Sequence, residues 1–439
     1  MLRTSGTCIE SEVIENWERC ACALRSICLV TERLDHSSSK HQKASAMPSQ
    51  RPQCSLSPER LITKDGTIIP QAARLADGRI LVCYSVGTDS WFSPSGFSVS
   101  EDGFTWRRID GPMHSVSAIG PSGGEKALLF DQYLWRTAES RYVAFCCEAR
   151  EALTFAEPCL AEFHLEGALC KHYIPRPADD PDAFYEPKIP EFYRPVTERY
   201  GAQVGGHIFG SIIELPDGAM GLSAYCQMKG NTRRKDTAPS DYVGRRPDEG
   251  VADEATDDIL WSAIFFRSDD EGRTWHAAST IAEAEVDFPF DAGVLYSEGF
   301  TEAGLSCTSE GKVYALVRHG SYMLLWRFIS ADGGRTWCEP MCFNYPGVAP
   351  SMCLLPNGML AAAWGRPGMT VGFSIDGTGS TWDALVGVMQ DDVQSQKYPW
   401  LVPIGENRVM LFYDKRKWDS ERRVFYEHGI YCREITVGQ

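Results

Sequence analysis

Two arginines stand where an arginine is hard to place. Arg318 ends the run Val313-Tyr-Ala-Leu-Val317, and Arg366 opens Arg366-Pro-Gly-Met-Thr-Val-Gly-Phe-Ser374. Each sits at the end of an apolar stretch that reads as a strand, and a charge buried there needs a partner. The planar guanidinium fork suits a carboxylate, either one of the chain's own or one carried by a ligand. Glu302, in Gly299-Phe-Thr-Glu-Ala-Gly-Leu305, reads as a turn residue, as an ion-pair partner or as part of a pocket. Tyr398 precedes Pro399 in Tyr398-Pro-Trp-Leu-Val402 and reads as core or as pocket. His207, in Gly205-Gly-His-Ile-Phe-Gly210, begins an expected inner strand. A packed core histidine and a general base are both open there. Asp89 lies in a loop. His319 follows Arg318 directly and should point the other way.

Other chemistries find no pattern. The sequence has no His-Glu-x-x-His, no Cys-x-x-Cys and no histidine cluster, so no metal is expected. Gly120-Pro-Ser-Gly-Gly-Glu-Lys126 misses the phosphate-loop spacing. Neither a Gly-x-Ser-x-Gly elbow nor a dinucleotide fingerprint appears, so no cofactor is expected. A net charge of −16 argues against nucleic acid as a partner. No run approaches the apolar length that crosses a membrane. The partner left is a small molecule or a glycan, bound by a monomer.

A repeated phrase supplies the elements that must position these residues. Two copies are clean: Ser268-Asp-Asp-Glu-Gly-Arg-Thr-Trp275 and Ser330-Ala-Asp-Gly-Gly-Arg-Thr-Trp337. Ser374-Ile-Asp-Gly-Thr-Gly-Ser-Thr-Trp382 carries one extra residue, and Val99-Ser-Glu-Asp-Gly-Phe-Thr-Trp106 has Glu101 in the aspartate's place. Each follows an apolar, alternating run, so the phrase closes a hairpin. Ser and Asp cap backbone N–H groups, Gly supplies positive φ, and Trp tucks under the loop. A Gly turn with an apolar strand precedes each copy, as in Pro356-Asn-Gly-Met-Leu-Ala-Ala-Ala363. The 39 glycines and 12 tryptophans are in large part these turns.

Strand, turn, strand, phrase and strand thus recur at about 40 to 65 residues, which predicts an all-β six-bladed β-propeller. Blades are expected near 66–106, 125–165, 207–276, 296–338, 348–383 and 396–433. Tyr173–Tyr200 and Asn231–Asp258 read as loops between blades. Residues 1–54 read as a poorly structured leader and linker, and 55–439 as the propeller. The leader holds five of the sixteen cysteines; Arg3 is followed by Glu10, Glu12 and Glu15, and its apolar stretch is broken by Arg25. That is no secretory signal, so a cytoplasmic protein is expected, or a secreted one if the leader is not part of it. The other cysteines are scattered and read as reduced and buried, with Cys146 and Cys147 on opposite faces of one strand.

The Ser-x-Asp-x-Gly-x-Thr-Trp phrase resembles the Asp-box, or BNR repeat, of the sialidase superfamily, and the resemblance spans residues 60–433. It implies the propeller and a pocket at its centre, but not a function, since the boxes lie outside the blades. Matched to sialidases, the candidates fall in the family's order. The resemblance implies Tyr398 as nucleophile, Glu302 as its base, Asp89 as acid/base, and Arg318 and Arg366 as ligands of an anionic sugar. A phenol suits such a substrate, because a carboxylate nucleophile would be repelled by a carboxylate at the anomeric carbon. One residue departs from the pattern. Sialidases open the first blade with Arg-Ile-Pro, and here Ile68-Ile69-Pro70 puts isoleucine in place of the arginine. A lyase-like reaction with His207 as base, or a binding protein without hydrolase activity, are the alternatives.

Overall fold

A computed structural model describes residues 52–86, 93–121, 126–150, 154–167, 189–234, 257–283, 299–320, 323–366, 368–389, 398–419 and 424–438. Strands and turns make up nearly all of it. Three sheets have four strands each, joined in chain order. The first runs Gly66–Arg74, Ile80–Val86, Ser95–Ser100 and Arg107–Ile109. The second runs Ala303–Cys307, Val313–Val317, Leu324–Ser330 and Met341–Pro346. The third runs Val348–Leu354, Leu360–Gly365, Met369–Ser374 and Ala384–Met389. A fourth sheet joins Pro399–Gly405, Arg408–Asp419 and Val424–Val437 to Cys54–Leu56 from the other end of the chain, in register Cys54↔Val437.

The fifth sheet has eleven strands. It holds Val116–Pro121, Ala127–Asp131, Tyr142–Ala149 and Cys159–His164, and also Met220–Arg234, Asp257–Ser268 and Thr274–Ala282. Two features fuse these sets. Tyr133–Arg136 and Gln203–Ile208 pair with each other between them, and the outer strands Cys159–His164 and Thr274–Ala282 pair in parallel.

The leading strands touch in turn around a centre. Gly66–Arg74 meets Val116–Pro121, which meets Gly210–Ser211; Ala303–Cys307, Val348–Leu354 and Pro399–Gly405 follow, and the last returns to Gly66–Arg74. Pairing the two chain ends in one sheet closes the ring and hides strand edges that would otherwise recruit other chains.

Second strands are buried on both faces, which is why they read as unbroken apolar runs. In Leu360-Ala-Ala-Ala-Trp-Gly365, Ala361 and Ala363 pack with Leu401, Val409 and Leu411, whereas Leu360, Ala362 and Trp364 pack with Tyr314, Leu316 and Leu325. The alternation of a pleated strand divides one run between two cores. Cys146 and Cys147 divide in the same way, each into a different cluster.

The repeated phrases form the expected turns. In the second sheet Ser330 Oγ accepts from Gly334 N–H at 2.7 Å, and Asp332 Oδ1 accepts from Thr336 N–H at 2.9 Å. Gly334 has φ +85°, and a Cβ there would run into the Phe265 ring of another sheet. Trp275 is fully buried, with its indole N–H on Gly272 O at 2.9 Å.

Three expectations are corrected. Glu101 does not replace the aspartate, because Ser100 and Asp102 fill the two roles one residue later. Asp102 Oδ1 accepts from Phe104 N–H and Thr105 N–H, both at 2.7 Å, and Ser100 Oγ from Gly103 N–H at 2.8 Å. The turn is one residue shorter, so counting back from Trp106 missed its register. The loop expected at Tyr173–Tyr200 ends in a 3-10 turn, Glu191–Tyr193, and a helix, Arg194–Tyr200, closed by Gly201 at φ +54°. The interruption at Asn231–Asp258 begins and ends as a hairpin, with Thr232↔Ile259 and Arg234↔Asp257 in register. The leader up to residue 51 lies outside the described residues.

Candidate active site

Glu302 directly precedes the leading strand Ala303–Cys307, and Arg318 directly follows Val317 on its partner strand. The register Ala303↔Val317 continues one step further, with Arg318 N–H on Glu302 O at 3.0 Å. Sixteen residues apart in sequence, the two side chains are therefore cross-strand neighbours. Arg318 Nη1 donates to Glu302 Oε1 at 2.8 Å, in a pair almost shut off from water. The other oxygen, Oε2, accepts Ala349 N–H at 2.8 Å.

Tyr398 brings the third donor. Its hydroxyl donates to Glu302 Oε1 at 3.3 Å, and the residue is only 8% exposed. It precedes Pro399, and the register Pro399↔Tyr413 sets Asp414 opposite it. Asp414, fully buried, accepts Tyr398 N–H on Oδ1 at 2.8 Å. The Arg366 guanidinium lies over the Tyr398 ring, 5.7 Å from its centroid. Two cations thus flank one phenol and one carboxylate.

The backbone around this group is unusual. Ile69, Ala349 and Arg366 all have positive φ, at +53°, +46° and +51°. For a β-branched residue such as Ile69 this is a genuine outlier, and such strain persists where the surroundings enforce it. The break in strand register at Ala349 aims its N–H at Glu302. Ile69 and Tyr225 pack against a buried cluster of Phe209, Val348, Ala349 and Tyr398. Ile68, in the place of the sialidase arginine, is buried as well.

His207 belongs to Gln203–Ile208, one strand before the leading strand Gly210–Ser211 on which it was expected. It is buried, stacked on Tyr225 at 5.0 Å and edge-on to Trp261 at 5.6 Å. His319 turns away from Arg318 and stacks on Phe300 at 4.4 Å. Asp89 lies outside the described residues. Tyr398, Glu302, Arg318 and Arg366 are thus brought together, with His207 joined to them through Tyr225.

Residues 202–411 match the family described as a BNR repeat-like domain. The chain has the fold of the sialidase superfamily. A search against curated proteins found no match. Among solved structures, a protein of unknown function from Dyadobacter fermentans aligns with a TM-score of 0.58 at 15% identity, over 88% of this chain and 99% of that one. The Hadza microbial sialidase Hz136 aligns with a TM-score of 0.51 at 13% identity, over 85% of this chain and 66% of the sialidase. An alpha-L-arabinanase from Penicillium chrysogenum, complexed with arabinobiose, gives 0.51 at 10% identity, over 87% of this chain and 98% of the arabinanase.

Sequence reasoning missed two features of this fold. Asp414 was legible in principle, since it ends the apolar run Val409-Met-Leu-Phe-Tyr as Arg318 ends its own. Asp131 was not. It is fully buried and accepts from Tyr193 O–H at 2.9 Å, Tyr133 N–H at 3.0 Å and Ser115 N–H at 3.1 Å. Burial pushes its carboxyl up to about 7, against the pull of those three donors. Its side-chain partner Tyr193 arrives from the helical insertion, which no repeat pattern announces. No helix among the described residues is long and apolar enough to cross a membrane.

Proposed function

We propose that the chain is a retaining glycoside hydrolase with Tyr398 as nucleophile. The observation that carries the reading is the Tyr398 hydroxyl donating to Glu302 Oε1 at 3.3 Å. Glu302 accepts the phenolic proton as the oxygen attacks the anomeric carbon, while Arg366 over the ring and Arg318 on the carboxylate offset the charge. The glycosidic C–O bond breaks, and the leaving oxygen takes a proton from an acid, the role proposed for Asp89. Water then attacks the glycosyl-tyrosine, giving up a proton to that same acid, and the phenol is restored.

The architecture proposed for it is a single six-bladed ring over residues 55–439, with the eleven-stranded sheet counted as two blades fused at their edges. The six leading strands support this count. Arg318 and Arg366, set around Glu302 and Tyr398, are the cations proposed to meet an anionic group of the sugar. The enclosure of His207 between Tyr225 and Trp261 supports hydrolysis over a lyase in which that imidazole is the base. The test is a screen of aryl glycosides that includes sialic acid, uronic acid and arabinofuranoside donors. Turnover of one of them is expected, falling at least about 10³-fold in Tyr398→Phe. Turnover unchanged by that substitution would remove Tyr398 as nucleophile.

A further inference from the structure

The second strand pair of the fused sheet carries two cysteines directly opposite each other. Cys146, on Tyr142–Ala149, and Cys159, on Cys159–His164, are register partners in an antiparallel pair. Residues opposite in such a pair have Cα atoms about 4.5–5.5 Å apart, inside the window a disulfide accepts. Their sulfurs lie 3.4 Å apart, both thiols are free, and Cys159 is exposed while Cys146 is buried behind it. Cys146 packs in a different core cluster from Tyr398, and the pair has no part in the chemistry above.

We propose that Cys146 and Cys159 form a redox site, in which an oxidant such as a peroxide or a small disulfide reacts at Cys159 and Cys146 resolves the product into an intramolecular disulfide. Exposure selects the attacking sulfur, because only Cys159 can be reached from solvent. The two thiols share a hydrogen bond, and that bond holds the Cys159 thiol below the ordinary range. The same hydrogen bond and burial push the Cys146 thiol up.

With peroxide the steps balance. The Cys159 thiolate attacks one peroxide oxygen; an S–O bond forms, the O–O bond breaks, and hydroxide leaves. The resulting sulfenic acid is attacked by Cys146 sulfur; the S–S bond forms, the S–O bond breaks, and water leaves with the Cys146 proton. The two cysteines give up two electrons and the peroxide takes them. With a small disulfide, the Cys159 thiolate attacks one of its sulfurs, the small S–S bond breaks and one small thiolate leaves; Cys146 sulfur then attacks Cys159 sulfur, the mixed S–S bond breaks and the second small thiol leaves with the Cys146 proton.

Cys147 is the competing thiol and is poorly placed to intervene. It points to the other face of the strand, its thiol donates to Ala156 O at 3.1 Å, and burial pushes it up to about 12.

The test treats the folded full chain with hydrogen peroxide or glutathione disulfide at neutral pH, followed by alkylation and peptide mapping. A Cys146–Cys159 linked peptide, reversed by dithiothreitol, is expected in the wild type and in Cys147→Ser. In Cys146→Ser the sulfenic acid or the glutathione adduct should persist on Cys159 and be trapped by dimedone or seen by mass. In Cys159→Ser neither link nor adduct should form. A link from Cys147, or a wild-type Cys159 still alkylated after oxidant at the rate of untreated protein, would overturn the proposal. Circular dichroism confirms that each variant is folded; a misfolded Cys146→Ser is replaced by Cys146→Ala, which keeps the small buried volume.

Discussion

Carboxylates are hydrogen-bond hubs both in the outer turns and at the centre, but they are recruited in opposite ways. Asp332 accepts from Arg335 N–H, Thr336 N–H, Ser330 Oγ and Thr336 Oγ1, all within four residues of it, and it is exposed. Glu302 accepts from residues 16, 47 and 96 positions away and is buried. The first hub needs only a short phrase, so the phrase can be copied from turn to turn. The second needs three sheets to be in place before all of its donors arrive. Both lower the energy of a carboxylate, but only the central one sets a phenol against it.

This contrast can be broken in order of expected effect. If the centre is catalytic rather than merely paired, Tyr398→Phe removes at least about 4 kcal/mol of transition-state stabilisation, the equivalent of the 10³-fold loss. Steady-state rates on the best glycoside check this, with denaturant unfolding expected to stay within about 1 kcal/mol of wild type. Glu302→Ala strands Arg318 in a buried site and should cost about 3–5 kcal/mol of stability. Urea unfolding reads it, and a loss below about 1 kcal/mol would show that water reaches the pair and that the site is more open than drawn.

Asp131 gives the pH arm. Its carboxyl is raised in the fold, so the folded state binds the proton more tightly than the unfolded one. Stability should therefore be greatest below the ordinary carboxylate value of about 4 and fall as pH rises towards about 7. Asp131→Asn should flatten that slope, by an amount on the order of a few kcal/mol across the window; melting temperatures from pH 4 to 8 would reveal an unchanged slope if Asp131 is not its source.

The outer turn should give the smallest effect. Asp332→Ala removes local acceptors at an exposed site and should cost about 1 kcal/mol. Those same donors hold the Asp332 carboxyl well below the usual carboxylate range, led by the Thr336 hydroxyl. Its contribution is present above about pH 4, where an unfolded aspartate is ionised, and fades as pH falls further. An Asp332→Ala loss as large as that of Glu302→Ala would erase the distinction between the two hubs.

The sequence by itself determined the β architecture and its turns. A Ser, an Asp, a Gly and a Trp at fixed short spacing find their partners within a few residues, so repetition in the chain is repetition in space. It also ordered Tyr398, Glu302, Arg318 and Arg366 along the chain. Tertiary structure decided that these four meet, because a contact across 96 residues depends on where whole sheets close around the centre. The same closure set Ala349 N–H on Glu302, paired Asp414 with Tyr398, buried Asp131 under Tyr193 and brought Cys159 against Cys146. Each of these needs a register or an inserted helix that no local pattern encodes. The shift from Glu101 to Asp102 shows the limit even within the repeat. Counting residues located the turn, but hydrogen-bond geometry chose which carboxylate fills it.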